Sequence, residues 1–578
     1  MTSLNRLGWF TITVLCTACA EPPPAPSAIE QLADEYLAAW MEQDPTMGTY
    51  YDLPGARHDR LPDNALTALA AWDAKEDAWL ARLEGIAPPQ DIGSRDWVTY
   101  GLLKEQLEGS ITLRVCRDEL WQASTTTSWH SSLPFVFDVQ PLDSPEHREQ
   151  ALTRLSAVAT YIDTEISNLR LGLELGYSAP RVTVEAVPEQ IRSMINDESI
   201  FLSPARRSDD HTFAAAVTAI YLEQIAPALE RYAQFIETEY VPQARETLAV
   251  SANPNGEACY PARVRHFVTK AVPAEVIHDV GLAQVAKIRA EMRGVLDAHF
   301  GGGDISEFLR HINDDPAFTF DSEEAVLQYS VDGLVAAKAV MAQAFGALPK
   351  ADVLVRPYPD FAASGSGEYH SSSEDGTRPG IFYIAVVDPT GRSRANQLAT
   401  LHHETYPGHH LQGAIALELG DSVHALARYL WNSGYAEGWA LYAERLADEL
   451  GLYPTPLDKM GLYSDQIARA SRLVIDSGLH TLGWSRQQAV DYMMANSGWA
   501  PVDIENEINR YISWPGQATA YMLGMLEIRR LRTMAEQMLG ERFDLKRFHD
   551  RVVGMGSITL PMLEQSIETW IVEEAARP

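Results

Sequence analysis

At 578 residues, 46% of them hydrophobic and 22% charged, the chain has the composition of a soluble globular protein with ample material for a large core. Acidic residues outnumber basic ones 79 to 46, for a net charge of −33. That balance argues against nucleic acid or an anionic membrane surface as a partner, because phosphate binding takes clustered Lys and Arg.

Residues 1–18 read as an export signal. Arg6 supplies its positive end, and the apolar run from Leu7 to Leu15 is too short to span a bilayer. Small residues precede Cys19, the expected site of lipidation, and residues 19–28 form a Pro-rich tether. Cys16 stands where a lipoprotein signal usually carries an aliphatic residue. The expected address is the periplasm, as an outer-membrane lipoprotein anchored through Cys19, and no later segment is expected to cross a membrane. The body is expected to be one helical unit over 29–578, or two halves, 29–250 and 251–578, flanking a cleft.

Apolar residues recur at helical spacing over 29–40, 66–83, 97–107 and 148–175, and again over 213–250, where Pro242 is expected to kink or interrupt the helix. Turn residues at 251–256 mark the candidate boundary, and a helix over 274–296 is expected to stop at Gly301-Gly302-Gly303. Two β-branched and aromatic runs, 353–358 and 380–387, predict a small sheet. Its strands either belong to the ordinary core or offer an edge along which a peptide backbone can add. After residue 396 the pattern is helical to the end. Cys116 and Cys259 either pair in an oxidising compartment or stay as buried thiols.

Four of the sixteen histidines fall within residues 402–410, in His402-His403-Glu404-Thr405-Tyr406-Pro407-Gly408-His409-His410. Neutral imidazole is the commonest protein ligand for zinc, and a Glu directly after a liganding His can act as a general base. In the His-Glu-x-x-His helix the two ligands stand at i and i+4 on one face. Here that position is Pro407, and the next histidines stand at i+6 and i+7 from His403. On an unbroken helix, i+6 points about 120° away and i+7 lies about 10 Å along the axis. Pro407 and Gly408 are therefore expected to bulge out of the helix and return His409 to the metal, with His410 as the other candidate. Glu437, from a second helix, is the expected third ligand, and Glu444 a solvated or supporting acid. Tyr511, Tyr521 or His480 is expected to steady a developing oxyanion. Arg472, Asp476 and His480 share a helix face, as an ion-pair ladder or a polar cleft wall, and Arg378 and Arg472 are candidates to clamp a carboxylate terminus.

These residues resemble the bacterial family designated domain of unknown function number 885, whose members are helical, are often lipoproteins, and carry a motif like the one running from His403 to Gln412. Segments 375–383, 437–442, 476–480 and 514–524 also look like family segments, so the resemblance covers nearly all of the chain after the tether. In layout the family is similar to helical zinc peptidases of the neurolysin and angiotensin-converting-enzyme type. The resemblance implies a mainly α, zincin-like architecture with a small β-sheet next to the metal helix. It also implies a zinc-dependent peptidase, with His403, His409 and Glu437 holding Zn2+ and Glu404 as the general base.

The expected substrate is a short peptide. An amide other than a peptide would need the same groups, and a peptide-binding lipoprotein without catalysis is the third reading. A carboxylate-bridged dinuclear oxidase is disfavoured, because no Glu-x-x-His occurs in the His cluster or around Glu437.

Overall fold

The computed structural model describes residues 25–577 other than 52, 54 and 359–366, so the signal segment, Cys19 and residues 20–24 of the tether lie outside the described residues. Local chemistry opens the first helices. The Ser27 hydroxyl caps Ala28–Gln43 while Glu30 returns to the Ser27 amide, Asp44 caps Pro45–Tyr50, and Ser144 with Pro145 starts the 30-residue helix Pro145–Glu174. Leu66–Glu84, Arg95–Leu113 and Ala274–His299 form where apolar spacing predicts them.

The 213–250 stretch ends sooner than expected. It runs His211–Gln243 with π turns at Tyr221–Ile225 and Ile236–Tyr240, and Pro242 lies in the 3-10 turn Val241–Gln243 that terminates it. This helix and Glu323–Gln343 are long and apolar enough, by length and composition, to cross a membrane, which corrects the sequence expectation. Each buries one face inside the protein: Val217, Ile225 and Tyr232 from the first, Val326, Leu334 and Ala337 from the second.

One apolar core gathers residues from 123 to 244, around Leu155, Ile162 and Leu229. A larger core draws on residues from Trp97 to Ile571 and includes both the sheet and the helices after residue 396. The first helices close on that second group, since Tyr36 and Leu103 share a cluster with Leu426. The sheet has three strands, β1 (Val353–Pro357), β2 (Glu368–His370) and β3 (Gly380–Ile384), in the order β1-β3-β2. β1 runs parallel to β3, with Val355 opposite Phe382, and β2 runs antiparallel to it, with Tyr369 opposite Phe382. The edge strand β2 was not legible in the sequence, because three residues between turns carry no periodicity.

Two helices that frame the site, Ser433–Glu449 and Ala520–Leu539, cross at glycine. A Cβ on Gly438 would stand 2.5 Å from the Gly524 backbone, and one on Gly524 would stand 1.8 Å from the Gly434 carbonyl, so the two backbones touch directly.

Cys116 and Cys259 form a disulfide across 143 residues, tying the turn after Arg95–Leu113 to the helix Gly256–Val268. The bridge restricts the unfolded chain, so its reduction or a Cys259→Ser change should lower the unfolding free energy by about 2–5 kcal/mol. Urea titration with and without reductant reads this directly; an unchanged midpoint would refute it.

Candidate metal centre

The His cluster lies on two helices rather than on one bulged helix. Gln397–Glu404 stops after Glu404, four residues turn the chain, and His409–Glu418 begins. Pro407 has no amide to donate and follows a cis peptide bond. A Cβ on Gly408 would lie 1.8 Å from the His403 carbonyl and 2.4 Å from that of His402, so only glycine lets the chain fold back this closely. The turn is pinned from outside: His402 Nδ1 donates to the Tyr406 carbonyl at 3.0 Å, and Trp439 Nε1 donates to that of Pro407, also at 3.0 Å.

This turn brings the rings of His403 and His409 to a centroid distance of 4.9 Å. Glu437, on the Ser433–Glu449 helix, places Oε2 3.4 Å from Nε2 of each histidine. Donor atoms of His403, Glu404 and His409 also fall within 4.8 Å of one another. Ligands bound tetrahedrally at 2.0–2.1 Å sit about 3.3 Å apart, so Glu437 Oε2 stands from each imidazole at the spacing, and the three groups have the chemistry, of a two-His, one-carboxylate zinc cradle. His403 Nδ1 donates to Glu444 Oε1 at 2.8 Å, which leaves Nε2 free to point into the cradle. Gln466 holds the other Glu444 oxygen at 2.7 Å, and Arg445 Nε meets Gln466 at 3.3 Å.

The electrostatics suit a cation. Burial disfavours a charged His403, but the carboxylates of Glu437 and Glu444 outweigh it and raise its pKa to about 10. Burial likewise pushes Glu437 up, yet His403 and His409 hold its carboxyl well below the usual carboxylate range. Glu404 is raised, because burial there exceeds the help of His409 and His403. Its Oε2 accepts from the backbone amide of Tyr369 at 3.1 Å, so the outer edge of β2 runs beside the candidate base.

His410 turns away. Tyr369 donates its hydroxyl to His410 Nδ1 at 3.0 Å, His410 Nε2 donates to the Ala351 carbonyl at 3.2 Å, and burial lowers its pKa to about 4. A cavity of about 390 Å³ opens beside Glu437, walled by Phe267, Trp431, Arg510, Trp514 and Tyr521. Of the three oxyanion candidates, Tyr521 alone lines it. The Tyr511 hydroxyl is spent between Arg472 Nε at 2.8 Å and Glu507 Oε2 at 2.7 Å. His480 stacks on Tyr260, accepts from the Val250 amide at 3.2 Å and donates to the Tyr511 carbonyl at 3.0 Å. Both are packing and hydrogen-bonding residues of the surrounding helices. Nor do Arg472, Asp476 and His480 form a ladder with one another, since each bonds off its own helix: Arg472 to Glu507 and His480 to the Tyr511 carbonyl on Pro501–Ser513, and Asp476 to the Gly516 amide.

Residues 45–567 match the family described as "Bacterial protein of unknown function (DUF885)". The chain belongs to the DUF885 family. A solved structure of a candidate lipoprotein from Colwellia psychrerythraea is similar over 95% of this chain and 100% of its own, at 26% identity and a TM-score of 0.87. One of a candidate lipoprotein of unknown function from Shewanella oneidensis shares the fold over 93% of this chain and 99% of its own, at 17% identity and a TM-score of 0.74. A candidate oligoendopeptidase F from Bacillus anthracis str. Ames aligns over 87% of this chain and 95% of its own, at 10% identity, but its TM-score of 0.27 carries no argument. No curated protein matches.

In this DUF885 chain two cavity residues, Trp514 and Gln517, come from the Trp514-Pro515-Gly516-Gln517 turn. Asp476 tethers it, accepting from the Gly516 amide at 3.1 Å and from the Tyr260 hydroxyl at 2.6 Å. Burial outweighs these bonds and pushes the Asp476 carboxyl up to about 7. An unfolded Asp ionises near pH ~4, so between there and the folded value only the native state holds the proton. The stabilisation is therefore present at low pH and lost as pH rises through about 7. Between about pH 4.5 and 7.5 this one group should remove about 3 kcal/mol of stability, a slope that Asp476→Asn abolishes. Chemical denaturation at the two pH values checks it, and parallel pH dependence in variant and wild type would contradict it.

Proposed function

We propose that this DUF885 protein is a zinc-dependent peptidase of short peptides, with a zincin-like helical body over 29–578, exported and lipid-anchored through Cys19. The observation that carries the reading is Glu437 Oε2, 3.4 Å from Nε2 of both His403 and His409, with Glu444 hydrogen-bonded behind His403. His403, His409 and Glu437 would hold the ion. Zinc in that cradle supplies Lewis acidity, polarising a carbonyl and making water more acidic.

The chain's own groups do the rest. Glu404, its carboxyl raised by burial, takes the proton of the attacking water and passes it to the leaving amine. Tyr521, at the cavity wall, donates its hydroxyl toward the developing oxyanion. The outer edge of β2 lies beside Glu404, which now holds the Tyr369 amide, so an extended substrate adding along that edge would take up this amide in place of the carboxylate. Similar structures described as candidate lipoproteins support the exported, anchored address.

Elemental mass spectrometry of the chain without its leader should find about one zinc per molecule in the wild type and clear loss in Glu437→Ala. A wild type that takes up no zinc after reconstitution would overturn the reading in favour of a peptide-binding lipoprotein. Glu404→Gln should keep the metal and lose about 10²–10⁴ of the turnover of a peptide library, and undiminished activity in that variant would remove Glu404 from the mechanism.

A further inference from the structure

Arg469 has no counterpart in the machinery described so far. It lies on Pro456–Thr481, with its guanidinium carbon 5.0 Å from the centre of the Tyr521 ring and 5.6 Å from that of Trp499. The residue is partly exposed, and its Nε is sealed from solvent with no acceptor. Among the described residues it makes no hydrogen bond and no ion pair. Glu404 and Glu437 both lie within range of its charge. In a chain of net charge −33, acids to pair with it are plentiful, yet none is placed on it.

Two further guanidinium groups gather at the same tyrosine. Arg472 lies 4.5 Å from the Tyr521 ring centre, and Arg510 lines the cavity. One carboxylate is hydrogen-bonded to these two, Glu507, at 2.8 Å from Arg472 Nη2 and 2.9 Å from Arg510 Nε. Asp465, also within range of Arg469, accepts from Trp499 Nε1 at 3.1 Å. Three guanidinium groups thus gather at Tyr521, two of them bonded to Glu507 and the third, Arg469, bonded to no acid; of the three, Arg510 lines the cavity beside Glu437. The residues that sequence alone nominates as a clamp are otherwise engaged: Arg378 donates to the Ser371 carbonyl at 2.9 Å, and Arg472 is held by Tyr511 and Glu507.

We propose that Arg469, with Tyr521 and Arg510 beside the cavity, is the subsite for the free C-terminal carboxylate of the substrate, so that short peptides are cut from that end. This rests on the zinc-peptidase reading above and adds the end that is recognised. A guanidinium fork matches a carboxylate in two parallel hydrogen bonds. Extended chain covers about 3.3–3.6 Å per residue, so a carboxylate held near Tyr521 sets the bond to be cut one or two residues away, on the Glu437 side. The cavity of about 390 Å³ is at the small end for ligand sites, enough for a terminal residue and too little for a folded chain. Phe267 and Trp514, packed edge to face at 5.6 Å, offer that residue an apolar wall.

The test is binding, in the otherwise intact, zinc-reconstituted protein carrying Glu404→Gln to stop turnover. Calorimetry compares acetyl-alanyl-phenylalanine with its C-terminal amide. The acid should bind about ten- to a hundredfold tighter, and Arg469→Gln in the same background should erase the difference while leaving the amide's affinity unchanged. Arg469→Lys, which keeps the charge but not the fork, should restore part of it. Equal affinity for acid and amide, binding of neither, or a preference that survives Arg469→Gln would overturn the subsite. The acid-to-amide comparison leaves Arg469 in place, so it decides even if the variant misfolds. Zinc content separates this inference from its parent. A protein that holds no zinc but prefers the acid keeps the subsite and loses the peptidase, whereas a zinc-loaded protein with Glu404 intact that cleaves acid and amide alike keeps the peptidase and loses the subsite.

Discussion

The Glu437 carboxylate, 3.4 Å from the Nε2 atoms of both His403 and His409, is the contact on which the rest of the centre depends. Two imidazoles and a carboxylate do not stay together in a protein interior without compensation. The acids Glu404, Glu437 and Glu444 converge on the histidines, and each charge is costly unless a partner faces it. The fold answers with layers. Glu444 accepts a hydrogen bond from His403 Nδ1, Gln466 fixes Glu444, Arg445 fixes Gln466, and Glu291 receives Arg445 at 2.9 Å. Such a chain orients the inner groups and stops them from collapsing onto alternative partners.

The same contact explains where glycine and proline sit. His409 reaches Glu437 because the chain turns back at Pro407-Gly408, and that turn closes because no Cβ stands between Gly408 and the carbonyls of His402 and His403. Glu437 shares a cavity with Tyr521 because Ser433–Glu449 and Ala520–Leu539 approach backbone to backbone at Gly438 and Gly524. The cavity has one further anchor. Phe267 and His266 line it from Gly256–Val268, the helix that the Cys116–Cys259 bridge ties to the N-terminal part of the chain. Removing the bridge would loosen a wall of the site as well as the fold.

Much of this was legible in the chain. The spacing of His403, Glu404 and His409, broken by Pro-Gly, pointed to a metal helix that had to be interrupted, and Glu437 was the acid on the next helix. Both readings depend on short-range geometry, which sequence spacing encodes well. The interruption proved larger than a bulge, two helices and a four-residue turn, because Gly408 packs against backbone rather than continuing it. Tyr511 and His480 misled, since an aromatic or a histidine near a Pro-Gly break looks the same whether its polar atom faces a cavity or a carbonyl. Only packing showed the Tyr511 hydroxyl held by Arg472 and Glu507 and the His480 ring by the backbone of Val250 and Tyr511.

The sequence by itself determined the helical character, the positions of most helices, and the histidine and glutamate pattern of the centre, because these follow from periodicity and spacing along one or two neighbouring elements. It left the pairing of Cys116 with Cys259 open, did not show β2 beside Glu404, and held nothing that marked Arg469. Those were decided by tertiary structure alone. Each is a relation between groups far apart in the chain, the bridge closing 143 residues and the Tyr369 amide meeting an acid 35 residues on. For Arg469 the decisive fact is that none of the nearby acids is bonded to it, which no local pattern can record.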